Sequence, residues 1–312
     1  MNPVTASPAL VLLGEAEWHE RPKVHAARID DWTAGRRERA ARRQRHPVED
    51  FLFEYYPTRP GQLRRWHPGL GLALTGKTPW DDDPAYRRVE VDGLGATTVD
   101  AAHFVGRRDG LAWVEALVRR SAERPARWGC FGLHEWAMVY GLEQREVRHA
   151  SWQLRLSPDE IRDVVDEQGL HCTHFDAYRF FAPDAVPLNE ITPTRETQPE
   201  LDQPGCLHAT MDLYKWASKY AALVGSDLVA DTFELALVAR TLDMEAAPYD
   251  LSALGYQPLR VETPDGRAEY VRRQRALADS ARPMRARLAT ALDAALAAVD
   301  AAGAVHAVEI GT

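Results

Sequence analysis

Apolar residues recur at helical spacing along most of this chain. Between residues 15 and 45, Trp18, His25, Ile29 and Trp32 fall near one face and arginines fall opposite, which predicts a helix. Pro47 suits the first turn of a second helix that carries Phe51, Leu52, Tyr55 and Tyr56 and ends before Pro57. Asp109 caps a helix over 111–122, where Leu111, Val114, Leu117 and Val118 make one stripe. Residues 131–140 predict a mostly buried helix. Ser157-Pro158-Asp159-Glu160 combines a cap, a first-turn proline and the closing glutamate of a capping box. Further helices are predicted over 207–223, from the cap Ser226 to 245, and over 268–299. In the last, Leu277, Met284, Leu288, Leu292 and Leu296 share a side and Pro283 introduces a kink.

Strand signals are short and scattered. Residues 70–74, 88–91 and 97–99 lie in a region rich in glycine and proline and predict short strands. Residues 149–156 suggest another, and 258–263 an edge strand. The fold class is therefore mostly α, a multi-helical globular protein with a small β element. The segment 183–204 holds Pro183, Pro187, Pro193, Pro199 and Pro204 and marks the best domain boundary. It divides an N-terminal region, 1–190, from a helical C-terminal region, 205–312, expected to form one compact unit.

Composition narrows the class. The chain has 312 residues, 45% of them hydrophobic and 27% charged, as a globular protein with a real core has. No uninterrupted apolar run approaches the length of a membrane span, so no membrane partner is expected. The run from Pro8 to Leu13 lacks a basic flank and is followed by Gly14, Glu15 and Glu17, unlike a signal segment. With only three cysteines, a cytoplasmic, reducing location is expected. The net charge of −8 argues against a dedicated nucleic-acid binder. Arg36, Arg37, Arg39, Arg42, Arg43 and Arg45 nevertheless form a basic patch, readable as a phosphate track or as a solvated helix face.

All three cysteines stand beside histidines. Cys130 precedes His134 in one segment, Cys172 lies between His171 and His174, and Cys206 precedes His208. Thiolate and imidazole are soft ligands of transition metals, so one His or carboxylate from each segment can build a metal site. His134-Glu135 resembles the start of a zincin pair, but Met138 stands where its second histidine belongs. Cys206, after Gly205 at a helix start, is the best thiol nucleophile. Satisfied core histidines and small buried cysteines are the plainer alternative. The same segments hold Trp136, Tyr140, Tyr178, Phe180, Phe181, Tyr214 and Trp216. Together with Glu135, Asp176 and Asp212 these can line a pocket for a flat base or simply fill a core. Gly71-Leu72-Ala73-Leu74-Thr75-Gly76-Lys77-Thr78 satisfies a P-loop pattern. Pro79, Trp80 and three aspartates follow, which makes a poor helix start and a chance match.

Several phrases resemble a bacterial family, best represented in actinobacteria, whose members are commonly labelled 3-methyladenine DNA glycosylase. They are His46-Pro47-Val48-Glu49-Asp50-Phe51-Leu52-Phe53, Gln62-Leu63-Arg64-Arg65-Trp66-His67-Pro68-Gly69, the stretch from Phe131 to Tyr140, and His174-Phe175-Asp176-Ala177-Tyr178-Arg179-Phe180-Phe181. Gln203-Pro204-Gly205-Cys206-Leu207-His208, Met211-Asp212-Leu213-Tyr214-Lys215-Trp216, Pro248-Tyr249-Asp250-Leu251 and Val261-Glu262-Thr263-Pro264 complete the likeness over most of the chain. The resemblance implies hydrolysis of the N-glycosidic bond of alkylated purines such as 3-methyladenine in damaged DNA, with no cofactor required. The chain carries neither a helix-hairpin-helix with a following aspartate nor alkylpurine-type helical repeats, so no catalytic residue carries over from the label.

Matched to that chemistry, the residues suggest Asp212 or Asp176, with Glu135 near, to stabilise the sugar cation. Trp136, Tyr140, Tyr178 and Trp216 would form the base pocket. Arg64, Arg65, Arg42 and Arg45 would hold the DNA backbone. The alternative is a helical His/carboxylate metalloenzyme acting on a small molecule. It would hold zinc or iron with His134, His174 and His208, aided by Glu135, Asp176 and Asp212. A non-catalytic binder that uses the aromatic pocket is a third class.

Overall fold

Four short strands form the β element of this computed structural model, which describes residues 10–310. They are β1 (Val11–Leu13), β2 (Leu72–Thr75), β3 (Tyr86–Val91) and β4 (Leu94–Val99), in sheet order β1-β2-β4-β3. β1 runs parallel to β2, and β4 runs antiparallel to both β2 and β3. Asp92 and Gly93, both at positive φ, make the two-residue turn between β3 and β4. That backbone twist suits a tight hairpin and explains the Asp-Gly pair. Pro8 and Ala9 of the apolar N-terminal run lie outside the described residues; its end forms β1.

The remaining architecture is helical. α1 (Glu20–Ala41) follows a one-turn helix at Glu15–Trp18, so the predicted 15–45 helix is interrupted at His19 and ends at Ala41, before Arg42, Arg43 and Arg45. α2 (Arg108–Glu123), α3 (Leu133–Val139), α4 (Pro158–Gln168) and the single turn α5 (Phe175–Tyr178) come next. Three longer helices close the chain: α6 (Leu207–Lys219), α7 (Ser226–Ala246) and α8 (Pro264–Ile310). The fold is thus mostly α with a small sheet. The capping box forms as expected: Ser157 Oγ accepts from the Glu160 N–H, and the Glu160 carboxylate accepts from the Ser157 N–H.

Several expectations are corrected. Pro47 does not open a helix; the helical turn begins at Phe51, after Asp50. Residues 149–156 contribute only one bridge, Leu154 to Tyr249, and 258–263 form no strand. The P-loop match lies mostly in strand β2, and its Thr78 is held by Asp81 through both backbone and hydroxyl. A carboxylate therefore stands where a phosphate would need amides free.

α6 and α7 are buried on nearly all sides, because α6 packs on α7 and α8 while α7 packs on α8. α8 packs on α2 through a narrower stripe of Ala281, Leu288, Leu292, Ala295 and Val299. Composition alone makes part of α8 long and apolar enough to cross a membrane. Its alanines are interrupted by single charges, so no unbroken run reveals this; about 22% of that apolar stretch is buried against the protein. The core is continuous across the 183–204 segment, joining 1–190 to 205–312. Within that segment Gln198, Asp202 and Gln203 are buried, so it is an ordered wall and not a solvated linker.

Candidate metal centre

α3, α6 and α7 bring His134, His208 and Asp243 together. Gly132, at φ 75°, turns the chain into α3, and a Cβ there would come within 3.1 Å of the Tyr270 ring and 3.2 Å of Ala246. This close approach seats α3 against α7 and α8, with His134 one turn from Cys130. His208 lies in the first turn of α6, immediately after the wall formed by 183–204. Asp243 lies near the end of α7 and is fully buried.

Ligand atoms of His134, His208 and Asp243 all lie within 4.8 Å of one another. His134 Nε2 is 2.7 Å from Asp243 Oδ1. Both atoms are shielded from solvent, and neither has another hydrogen-bond partner among the described residues. The His134 and His208 rings meet edge-on with centroids 4.3 Å apart. Two imidazoles and one carboxylate suit zinc or iron(II), with coordination positions left for water or substrate.

Arg240 sets this group in place. It is 1% exposed and donates from Nη1 to both Asp243 Oδ2 and Glu135 Oε1, while its guanidinium lies 3.8 Å from the Phe51 ring centroid. Burial pushes the Asp243 carboxyl up, but His134, Arg240 and His208 together hold it well below the usual range. Burial, followed by the nearby His134, lowers the His208 imidazole far below its ordinary value, leaving a neutral ring with a lone pair to offer.

His174 stands apart from this set. It caps α5, its Nδ1 accepting from the Ala177 N–H, so the neutral ring carries its proton on Nε2. That nitrogen faces Asp212 Oδ2 at 3.4 Å. Asp212 is 1% exposed; its Oδ1 accepts from Tyr56 at 2.8 Å and its Oδ2 from Lys215 at 3.1 Å. Lys215 also reaches Asp176 Oδ2 at 2.7 Å. Burial raises the Asp212 carboxyl, but Lys215, then His174 and Tyr56, outweigh it and hold the group far below the usual range. Asp212 is thus an ionised, fully partnered carboxylate.

The centre opens on a cavity of about 220 Å³ lined by His134, His208 and all three cysteines. Leu133, Leu170, Phe181 and Leu207 supply apolar wall, and Arg127, His171 and Glu190 stand at its exposed edge. On the other side of His208 lies a smaller space of about 30 Å³, edged by Glu135, Asp176, His149 and Tyr249. That is close to the volume of one water molecule.

The other predicted site residues are dispersed. Trp136 is fully buried, its indole N–H donating to Ala246 O at 2.9 Å. Tyr140 bonds Asp166 on α4. Tyr178 packs on Phe181, and Trp216 lies against Trp113 with Lys215 and Arg195 over its ring. None of these four lines either cavity beside His208. Arg64 is paired with Asp30 and Arg65 with Asp83. Arg45 lies 3.9 Å from Glu54, and Arg42 is exposed. Sequence reasoning missed Asp243, Arg240 and Tyr56. The signal for the first two is Arg240, the one basic residue of α7, three positions before Asp243.

No family model, curated protein or solved structure matches this chain. The likeness to glycosylase-labelled bacterial proteins rests on its sequence phrases, and the chemistry must be argued from the side chains.

Burial also makes stability depend on pH. His67, bonded to the Tyr86 hydroxyl at 2.6 Å, is pushed down to about 4 by burial and then by Arg65. The unfolded imidazole takes a proton below about 6.5, the folded one only near its depressed value. This contribution is therefore present at neutral pH and is lost as pH falls through that window. His25 and His149 shift in the same direction, also through burial. Urea unfolding should show stability dropping by about 1–2 kcal/mol for His67 alone between pH 7 and 5. A His67→Gln variant should show a shallower slope; an unchanged slope would reject this account.

Proposed function

We propose that the protein is a metal-dependent enzyme acting on a small molecule, with His134, His208 and Asp243 holding a divalent transition metal. One observation carries this reading: two imidazoles and a carboxylate, all buried and drawn from three helices, bring their ligand atoms within 4.8 Å of one another. Two neutral imidazoles and a carboxylate are the donors that hold a divalent transition metal, and in a buried position they would hold it away from bulk water. The adjoining cavity of about 220 Å³ fits a compact organic substrate. A metal so placed supplies Lewis acidity or an activated water. Glu135, one residue from a ligand and facing the water-sized space, is positioned to receive a proton.

The glycosylase reading keeps the sequence resemblance in its favour. It asks Asp212 to face a sugar cation, and both oxygens of Asp212 already have partners. One experiment separates the two. Protein purified without added metal is analysed by mass spectrometry for metals and assayed for base release from methylated duplex DNA in excess EDTA. The metalloenzyme reading expects close to one zinc or iron per chain and no base release. Base release in EDTA by a protein without stoichiometric metal would replace it with the glycosylase.

A further inference from the structure

Gln203 is held at one end of its amide and free at the other. It is 4% exposed and lines the cavity of about 220 Å³ beside His134 and His208. Its Oε1 accepts from the Arg127 N–H at 2.9 Å and from the Gly205 N–H at 2.7 Å. Two backbone donors decide which end of the amide is oxygen, so the nitrogen is the end left over. Among the described residues that Nε2 has no acceptor. Gly205 must be glycine for this bracing, since a Cβ there would lie 2.5 Å from the Arg127 carbonyl oxygen and 3.0 Å from Gln203 Oε1.

The same turn of backbone delivers further donors. The Gln203 carbonyl accepts from the Cys206 N–H at 3.1 Å, and α6 begins at the next residue. No side chain caps α6, and among the described residues the N–H groups of Leu207 and His208 find no acceptor. Cys206, Leu207 and His208 all line the cavity. An uncapped helix start attracts negative charge. Arg127, whose own N–H is bound by Gln203, stands at the exposed edge of the same cavity. Glu190 shares that edge but is engaged by His171 Nδ1 at 3.0 Å, and among the described residues no carboxylate lies within 4.0 Å of the Arg127 guanidinium.

We infer that Gln203, Arg127 and the start of α6 form a carboxylate-recognition site, and that the cavity takes small organic monocarboxylates with an apolar body. One unpaired guanidinium with neutral amide donors balances a single negative charge, not the roughly two of a phosphate monoester. Leu133, Leu170 and Phe181 supply wall for the apolar body. As substrate recognition the inference rests on the metalloenzyme reading, which puts the reacting end at His134, His208 and Asp243. The carboxylate site itself needs no metal.

Calorimetry with benzoate and butyrate, compared with benzamide and phenyl phosphate, tests it on the full chain, first stripped of metal and then loaded with zinc. Expected is one carboxylate bound per stripped chain, at least about tenfold tighter than benzamide. Gln203→Glu keeps an oxygen for both backbone N–H groups and puts a negative oxygen where Nε2 stood, so it should weaken carboxylate binding about 100-fold. Arg127→Gln, an exposed change that leaves the fold intact, should weaken it about tenfold. Overturning results are no carboxylate bound in either state, benzamide or phenyl phosphate bound as tightly, or affinity unchanged in both variants. Binding that appears only with zinc and ignores both variants would put the carboxylate on the metal, rejecting this site while supporting the metal centre. Variant-sensitive binding by a chain that takes up no zinc would keep the carboxylate site and reject the metalloenzyme.

Discussion

Replacing Asp243 by Asn should abolish stoichiometric metal binding and cost about 3–5 kcal/mol of stability. The carboxylate is shared: Oδ1 faces His134 Nε2, and Oδ2 accepts from Arg240. Asparagine keeps the shape and removes the charge. Arg240, 1% exposed, is then left with Glu135 as its only charged partner. Breaking one side of a buried ion pair leaves an uncompensated charge, which is where the large cost arises. A purely structural Asp243 and a metal-ligating Asp243 both predict that loss, so the loss alone decides nothing. The deciding measurement is urea unfolding with and without zinc. Zinc at about a thousand times its Kd should stabilise the native protein by about 4 kcal/mol. The variant should gain almost nothing from the same addition. Equal stabilisation of both proteins would remove Asp243 from the ligand set.

The helical architecture was legible because its signals are local. Ser157-Pro158-Asp159-Glu160 carries its own cap, and the 111–118 stripe its own period, so tertiary context had only to agree. β1 was not legible: three residues pair in parallel with a strand some sixty positions later, and nothing in Val11–Leu13 announces that partner. The cysteines and histidines singled out in the sequence do gather, since all three thiols and two of the three histidines, His134 and His208, line one cavity. The carboxylate that groups with His134 and His208 is Asp243, not Asp212 or Asp176. Asp212 and Asp176 looked attractive because they share segments with aromatic and His residues, yet Lys215 bridges them and keeps them out of the His134–His208 group. Asp243 belongs to a helix with no His or Cys nearby, so only its burial with Arg240 reveals it. The aromatic pocket was misjudged for a related reason. Sequence counts rings, while the fold decides which of them face space. Trp136 and Trp216 became core, and Phe181 and Tyr270 line the cavity.

Replacing Asp212 by Asn should destabilise the protein by about 3 kcal/mol and leave metal stoichiometry near that of the native chain. Its two oxygens hold Tyr56 from the short helix at Phe51–Tyr55 and Lys215 from α6, and one of them faces His174 at the start of α5. Three separate segments therefore depend on one negative charge. Asn keeps an acceptor for Tyr56, but Lys215, whose side chain is 18% exposed, then has Asp176 as its one carboxylate partner among the described residues. The pH dependence has a definite sign. Asp212 is depressed in the folded protein, so its contribution is present above the unfolded carboxyl value of about 4 and disappears as pH falls below it. Native and variant proteins should therefore differ most in urea midpoint at pH 7, and the difference should begin to shrink as pH falls below about 4. A variant that folds as stably as the native chain but loses a measured activity would reverse the assignment. Asp212 would then act on a substrate, and the glycosylase reading would regain its carboxylate. Loss of stability with metal retained is the result expected if Asp212 joins Tyr56, α5 and α6 while the chemistry belongs to His134, His208 and Asp243.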